Sequence, residues 1–326
     1  MHSTAGLPAP PEGRQQIDRR DADRRREDWL AEVWAASGTR VLQLRGRTTR
    51  IAEDDDGGRA RIIFSSPEYI SPREVPEAAV YLGAVGEGVH VVAVPTGGED
   101  SGEQDSGRNG RPGETWADLR TAGAQLGDLD AGLFTQALAV TLWHASAPFC
   151  AQCGHLTQVR HSGWMRHCPG CGAESFPRTD PAVITAVVDD QERILLGSAH
   201  RWEEHRYSTF AGFVEAGESL EDAVLREVAD EAGVRLRSLQ YMGSQSWPFP
   251  RSLMLGYVAV AEDPENAQAD GEEIREVRWF TREELLSGVR GGQLWIPPAS
   301  SISRALIEHW FGGPIPPAAP STEEVR

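Results

Sequence analysis

Residues 212–234 read GFVEAGESLEDAVLREVADEAGV, and hold seven carboxylates and three glycines in 23 positions. Ser219 is suited to cap a helix, with Asp222 three positions on as its partner in a box-like pair. At 100° per residue, Leu220, Ala223 and Val224 form one apolar stripe and Leu225, Val228 and Ala232 a second, so a helix over about 219–232 is predicted to be covered on two sides. Continuing the first stripe toward the carboxyl end gives Glu227 and Glu231, with Asp230 beside them, within roughly 100° of arc. An inward-facing stripe therefore turns acidic where it should have stayed apolar. Three like charges on such a face repel, partial burial makes that worse, and hard divalent cations such as Mg2+ or Mn2+ prefer oxygen ligands of this kind. At this point a solvated acidic face is an equal alternative.

The composition narrows the choice. At 326 residues the chain is long enough for two domains and a small module, and its net charge is -17. An acidic surface repels phosphates, which argues against a general, backbone-driven nucleic-acid binder, although a nucleotide substrate bridged by metal ions is compatible with it. The amino-terminal MHSTAGLPAPPEGRQQIDRRDADRRRE lacks the apolar core of a signal peptide, and no run approaches the roughly 18 apolar residues of a membrane span. We expect a cytoplasmic protein with no membrane association, a setting in which structural disulfides are uncommon.

Along the chain, residues 1–27 are charge-dense and expected to form a disordered tail. An N-terminal domain follows at 28–145, with a short helix at WLAEVWAA and strand-like runs RVLQLRG, ARIIFS, AVYLGAV and VHVVAVP. Residues 96–114, nearly free of apolar side chains, read as a disordered insertion, and the stretch from 115 to the first cysteine reads as helical, with apolar spacing through Leu133, Ala137, Leu138 and Leu142. From 176 to 312 strands and helices alternate, starting with PAVITAVVDD and ERILLGSA as paired strands, which predicts an α/β domain; 313–326 is a Pro-rich tail.

Between the two domains, at 146–175, lie all four cysteines, Cys150, Cys153, Cys168 and Cys171, spaced C-x2-C-x14-C-x2-C. Two such knuckles can bring four thiolates around one Zn2+. Redox pairs or disulfides do not account for the double spacing, and four thiolates leave no open coordination position, so one structural zinc per chain is expected. His155, His161 and His167 are superfluous to the set and read as surface residues; Arg160, Arg166 and Arg178 are too few to make the ribbon a nucleic-acid reader.

The acidic segment resembles the Nudix hydrolase box, G-x5-E-x7-R-E-U-x-E-E-x-G-U with U apolar: Gly212, Glu218, Arg226, Glu227, Val228, Asp230, Glu231, Gly233 and Val234 fall in register, and Asp230 stands where the family has Glu. The resemblance implies a loop-helix-loop on an α/β/α sandwich that uses Mg2+ or Mn2+ to hydrolyse a nucleoside diphosphate linked to another group. Glu227 and Glu231 would be the principal metal ligands, with Asp230 joining the catalytic set through a shorter side chain, and Gly212, Glu218, Arg226 and Gly233 would be structural.

SQSWPFPRSLM at 244–254 puts Trp247 and Phe249 between prolines, a rigid presentation suited to stacking on a ring, with a core turn as the alternative. Together with the ribbon, FPRTDP and DLDAGLF, it is similar to the signature of the NADH pyrophosphatase branch of the family. That resemblance assigns Gln245, Ser246, Trp247, Pro248, Phe249, Pro250, Arg251 and Ser252 to substrate binding, Phe176 and Phe213 to ring stacking, Ala211 to a backbone metal contact and Glu276 to a further metal ligand. Ser303 and Arg120 match substrate-contacting positions. The implied activity is cleavage of NADH and NAD+ to nicotinamide mononucleotide and AMP, with removal of NAD caps from RNA, in a homodimer. The alternatives are a Nudix pyrophosphatase for ADP-ribose or another dinucleotide, and a non-catalytic nucleotide-binding regulator.

Overall fold

The computed structural model describes residues 16–53, 59–96 and 113–316. They form two units, one of Asp180–Trp247 with the residues from Ser252 on, the other of the described residues through Thr179 with Pro248–Arg251. Among the described residues no helix is long and apolar enough to cross a membrane.

In the first-mentioned unit a six-stranded sheet runs in the order β13 (Leu236–Trp247), β14 (Ser252–Ala261), β10 (Asp180–Val188), β11 (Ile194–Ala199), β15 (Ile274–Phe280), with β12 (Phe210–Phe213) also on β10. The strand at the centre decides the layering. Alternate residues of β10 point to opposite faces: Val183 and Val187 pack under α5 (Leu220–Ala232) with Val224, Val228 and Ala232, whereas Ile184, Ala186 and Val188 pack with α6 (Arg282–Arg290) and α7 (Ile302–Phe311) through Leu285, Leu306 and Ile307. The result is the α/β/α sandwich expected. β10 runs parallel to β14 and antiparallel to β11 across a turn in which Asp189 accepts from the backbone N–H of Gln191 and Arg193. The tail does not begin at 313: Ile315 is 3% exposed, its N–H donates to Glu308, and its carbonyl accepts from Arg304. Residues 317–326 lie outside the described part.

The other unit also has a mixed sheet, ordered β3 (Ala60–Ile62), β2 (Thr48–Glu53), β1 (Arg40–Arg45), β5 (Val89–Pro95), β4 (Val80–Val85), with β6 (Glu114–Asp118) on β2. Among the described strands of this sheet β1 and β5 pair in parallel and the rest antiparallel; α1 (Trp29–Ala35) covers Val41, Tyr81, Val92 and Val94. Short helix α2 (Pro67–Ile70) lies between β3 and β4, α3 (Leu119–Ala122) follows β6, and α4 (Asp128–Ser146) buries Leu133, Phe134, Ala137 and Leu138. Two strands differ from the sequence reading. β2 alternates Thr and Arg with Ile, which hides it from a hydrophobic scan, and β6 occupies the start of the stretch read as helical because it pairs with β2. The proposed insertion at 96–114 is tied at both ends, Thr96 to the carbonyl of Leu44 and Glu114 within β6; residues 97–112 lie outside the described part.

Residues 16–27, expected to be frayed, are anchored. Asp18 bridges Ala84, Ser162 donates to the carbonyl of Arg24, and the guanidinium of Arg24 lies 4.5 Å from the centre of the Trp164 ring, with Arg19 at 5.5 Å. The arginines that looked solvated spend their planar groups on an indole. The zinc ribbon, β7 (Gln158–Arg160), β8 (Met165–His167) and β9 (Glu174–Ser175), is fixed to α4 by His144, which bonds the carbonyl of Gly163 at 2.8 Å and Arg166 at 2.9 Å. Burial pushes His144 down to about 4, so the ring is neutral, donating to the carbonyl and accepting from Arg166. Arg166 also bonds Thr157 and Pro148, which removes it from any surface role.

Gly163 has φ +99°, and a Cβ there would lie 2.9 Å from the Val80 Cα. Gly163→Ala is expected to lose about 1–3 kcal/mol through backbone strain and to lower the melting temperature by several degrees, measured by calorimetry on the full chain.

Candidate active site

Ser219 accepts from the Asp222 N–H at 3.1 Å and starts α5; Gly233, in the left-handed region at φ 67°, ends it. Between them the helix buries Ala223, Val224, Val228 and Ala232, while Leu225 is 39% exposed, so the second apolar stripe is narrower than the sequence implied. Glu231 sits on the covered side at 8% exposure, Glu227 is half-buried and Asp230 is exposed.

Each acid is held differently. Arg226 places its fork on Glu218, with Nε to Oε1 at 2.8 Å and NH2 to Oε2 at 2.9 Å, while the same side chain donates to the carbonyl of Phe213 and to Glu227. Glu218 also accepts from the Glu215 N–H, and these donors, Arg226 first, bring its carboxyl down to about 2. Arg226 and Glu218 thus tie the loop 213–218 to the helix. Glu227 lies against β12: a Cβ on Gly212 would fall 1.9 Å from its carboxyl carbon, so only glycine leaves room there.

Glu231 accepts from the backbone N–H of Ala211 through one oxygen, while its Oε2 is buried with no hydrogen-bond partner. Burial first, then the charge of Glu227, with smaller contributions from Glu273 and Asp270, push its carboxyl up to about 8. An orphaned buried carboxylate oxygen beside further carboxylates is the donor set a hard divalent cation would complete.

Glu276 does not join this set. Strand parity puts Val277 and Trp279 of β15 with the α5 core and Phe280 with the α6/α7 core. Glu276 shares the latter face, where the Tyr207 hydroxyl donates to it. Glu273, just before β15, adds its charge to those of Glu227 and Asp270 around Glu231, and the sequence reading did not single it out.

The aromatic and polar positions separate as well. Phe176 and Phe213 are 54% and 55% exposed. Gln245 is spent on the start of α7, donating to the Ser300 carbonyl and accepting from the Ile302 N–H. Ser303, 3% exposed, bonds the hydroxyls of Ser208 and Thr209, and Ser252 is buried. Trp247 and Ser252 close the β13–β14 hairpin, Ser246 opposite Leu253, and Pro248–Arg251 form its tip. Phe249 there is 9% exposed and covered by Arg120, whose guanidinium carbon is 4.2 Å from the ring centre. Two positions predicted separately, Arg120 and Phe249, are therefore in contact.

In the ribbon, all four sulfurs lie within 4.8 Å of one another, Cys150 to Cys171 at 3.7 Å and Cys153 to Cys168 at 3.4 Å. Thiolates about 2.3 Å from a tetrahedral zinc stand about 3.8 Å apart, so the cluster fits that ion.

Three family models match the chain: the NADH pyrophosphatase-like rudimentary NUDIX domain at residues 34–143, the NADH pyrophosphatase zinc ribbon domain at 145–176, and the NUDIX domain at 178–297. The chain is 37% identical over 297 residues to the NAD-capped RNA hydrolase NudC of Mycobacterium tuberculosis, covering 89% of this chain and 91% of that one. It is 40% identical over 199 residues to the NAD-capped RNA hydrolase NUDT12 of Homo sapiens, covering 57% of this chain and 43% of that one.

The raised Glu231 sets a pH dependence. Between its ordinary 4.5 and about 8 the folded chain keeps a proton that the unfolded chain has released, so stability without added Mg2+ or Mn2+ falls as pH rises through that window and levels off above it. Thermal unfolding from pH 5 to 9 should show this decline, Glu231→Gln should flatten it, and added Mn2+ should raise stability most at the alkaline end.

Proposed function

The chain belongs to the NADH pyrophosphatase branch of the Nudix hydrolase family, and on that premise we propose that it hydrolyses the diphosphate of NADH and NAD+ to nicotinamide mononucleotide and AMP, and removes NAD caps from RNA by the same reaction. The observation that carries this reading is the buried, unpartnered Oε2 of Glu231 beside Glu227. Glu227, Glu231 and Glu273 would hold Mg2+ or Mn2+, with Asp230 at the exposed rim within reach through water. The cation, when bound, neutralises the diphosphate and activates the attacking water.

The chain's own residues do the rest. Arg226 fixes the Glu227 carboxylate and the loop before the helix, and Ala211, whose backbone would also contact the metal, orients Glu231 by its N–H. The carboxylates reach the substrate pre-aligned, which lowers the reorganisation needed in the transition state. Phe213 and Phe176 offer exposed rings for stacking on a base or the nicotinamide. The four cysteines hold one structural Zn2+, which suits the reducing cytoplasm, where we place the protein, and the chain works as a homodimer.

The test is turnover by the full chain with Mg2+ or Mn2+ on NADH, NAD+, ADP-ribose and an NAD-capped oligoribonucleotide, followed by chromatography of the mononucleotides. NADH and the capped oligoribonucleotide should be cleaved. Turnover of ADP-ribose alone would assign a different pyrophosphatase, and turnover of nothing would assign a nucleotide-binding regulator. Glu231→Gln should lower kcat by roughly 10²–10³-fold, the scale for losing one preorganised electrostatic contact, with the fold intact by circular dichroism.

A further inference from the structure

Glu227 and Glu231 stand on a capped helix, whereas Glu273 stands on neither a helix nor a strand. The sheet does not fix it. Ala199 of β11 pairs with Ile274 and Ser198 with Glu276, so Arg275 is an extra residue in the ladder, and its side chain donates to the buried Ser198 hydroxyl at 2.9 Å. Glu273 lies beyond that irregularity, exposed, at the end of the segment 262–273 that joins β14 to β15. If an arriving cation had to order such a segment, the ordering would be subtracted from its affinity.

Polar groups within the same unit hold the segment instead. The Gln268 N–H donates at 2.9 Å to the carbonyl of Ala232, the residue after Glu231 on α5. The Glu273 carbonyl accepts from the His200 N–H at 3.0 Å. Between these two points Asp270 folds its carboxylate back over the chain. Its Oδ1 accepts from the N–H of Ile274 at 2.8 Å, Glu272 at 3.0 Å and Glu273 at 3.2 Å, and its Oδ2 from Glu273 at 3.3 Å. Glu273 is therefore gripped on both sides of its Cα, by Asp270 at the N–H and by His200 at the carbonyl.

Asp270 and Glu273 both lie close enough for their charges to act on Glu231, yet the two acids are differently occupied. The oxygens of Asp270 face backbone donors, as those of Glu218 face Arg226 and Glu215, whereas Oε2 of Glu231 has no donor. Resting on the function proposed above, we propose that Asp270 is a positioning residue of the cation site, clamping the backbone of 272–274 so that Glu273 is already in place beside Glu231 when the cation binds. It touches neither the cation nor the substrate and acts through Glu273. What it supplies is the position of an acceptor, and substitution can separate that position from its charge.

The experiment titrates Mn2+ into the full chain without substrate and follows the free ion by electron paramagnetic resonance. Asp270→Asn keeps an oxygen in place and drops the charge, and it should retain most of the wild-type affinity. Asp270→Glu keeps the charge and carries the oxygens a methylene away. It should weaken Mn2+ binding roughly 10–100-fold, the scale for losing the partner that orients a metal ligand. Glu273→Gln should weaken binding as well, and adding Asp270→Glu to it should cost little more, because the clamp acts through Glu273. Equal losses in the Asn and Glu variants, a loss confined to Asn, or no loss in either would overturn the clamp. So would an undiminished effect of Asp270→Glu in the Glu273→Gln chain. Should Asp270→Glu fail to fold, Asp270→Ala, which removes the acceptor, takes its place with the same expectation. Turnover is followed in parallel: a wild-type chain that binds Mn2+ and cleaves no dinucleotide would defeat the function alone, and one that binds no Mn2+ would defeat the clamp.

Discussion

Glu231 is a carboxylate with one oxygen held by a strand N–H and the other sealed from water with no protein donor, and much of the domain is arranged around that imbalance. Burying an ionised carboxyl without partners costs enough that an apolar residue would ordinarily fill the position. Keeping it there requires a helix that cannot shift, which Ser219 and Gly233 provide at its two ends. It also requires a loop pinned to the helix, which the Arg226 fork on Glu218 and Phe213 provides. Gly212 then lets Glu227 come down onto the strand beside it. The charged groups divide the work: Glu218, saturated with donors, stays ionised at every physiological pH and is structural, while Glu231, starved of them, is poised for a cation.

What the sequence carried depended on whether the chemistry was local. The helix ends, the acidic face, the cysteine spacing and the layered α/β domain were legible because each is written in residues a few positions apart or in a simple period. The third acid was not. Glu276 and Glu273 are equally acidic in sequence, but one lies within β15 and the other just before it, with a register shift between them that no sequence period marks. Gln245 and Ser303 matched substrate positions, but their polar atoms meet buried backbone and hydroxyl partners contributed from far along the chain. The anchoring of residues 16–27 was equally hidden, since it depends on Trp164, well over a hundred residues away.

The amino-terminal half is similar to a rudimentary NUDIX domain, a likeness the sequence reading did not make. Among the described residues both sheets have six strands and one parallel strand pair, β1 with β5 and β10 with β14, among otherwise antiparallel neighbours. A shared sheet plan survives changes of side chain so long as the inward faces stay apolar, whereas the acidic box is visible only where cations are needed. Without that box, β2 and β6 offered little more than Thr, Arg and Trp to recognise them by.

The parallel pairing of β10 with β14 also has a bearing on how the molecule is made. Asp180 meets Ser252 roughly seventy residues later, and the acidic helix lies inside the loop that this pairing closes. On the ribosome the central strand therefore emerges long before its neighbour, and its apolar residues on both faces wait uncovered. The contact of Phe249 with Arg120 waits too, since the hairpin tip is synthesised in the same late stretch. The face of the central strand that packs on α6 and α7 waits longer still, because both helices follow the hairpin in the chain.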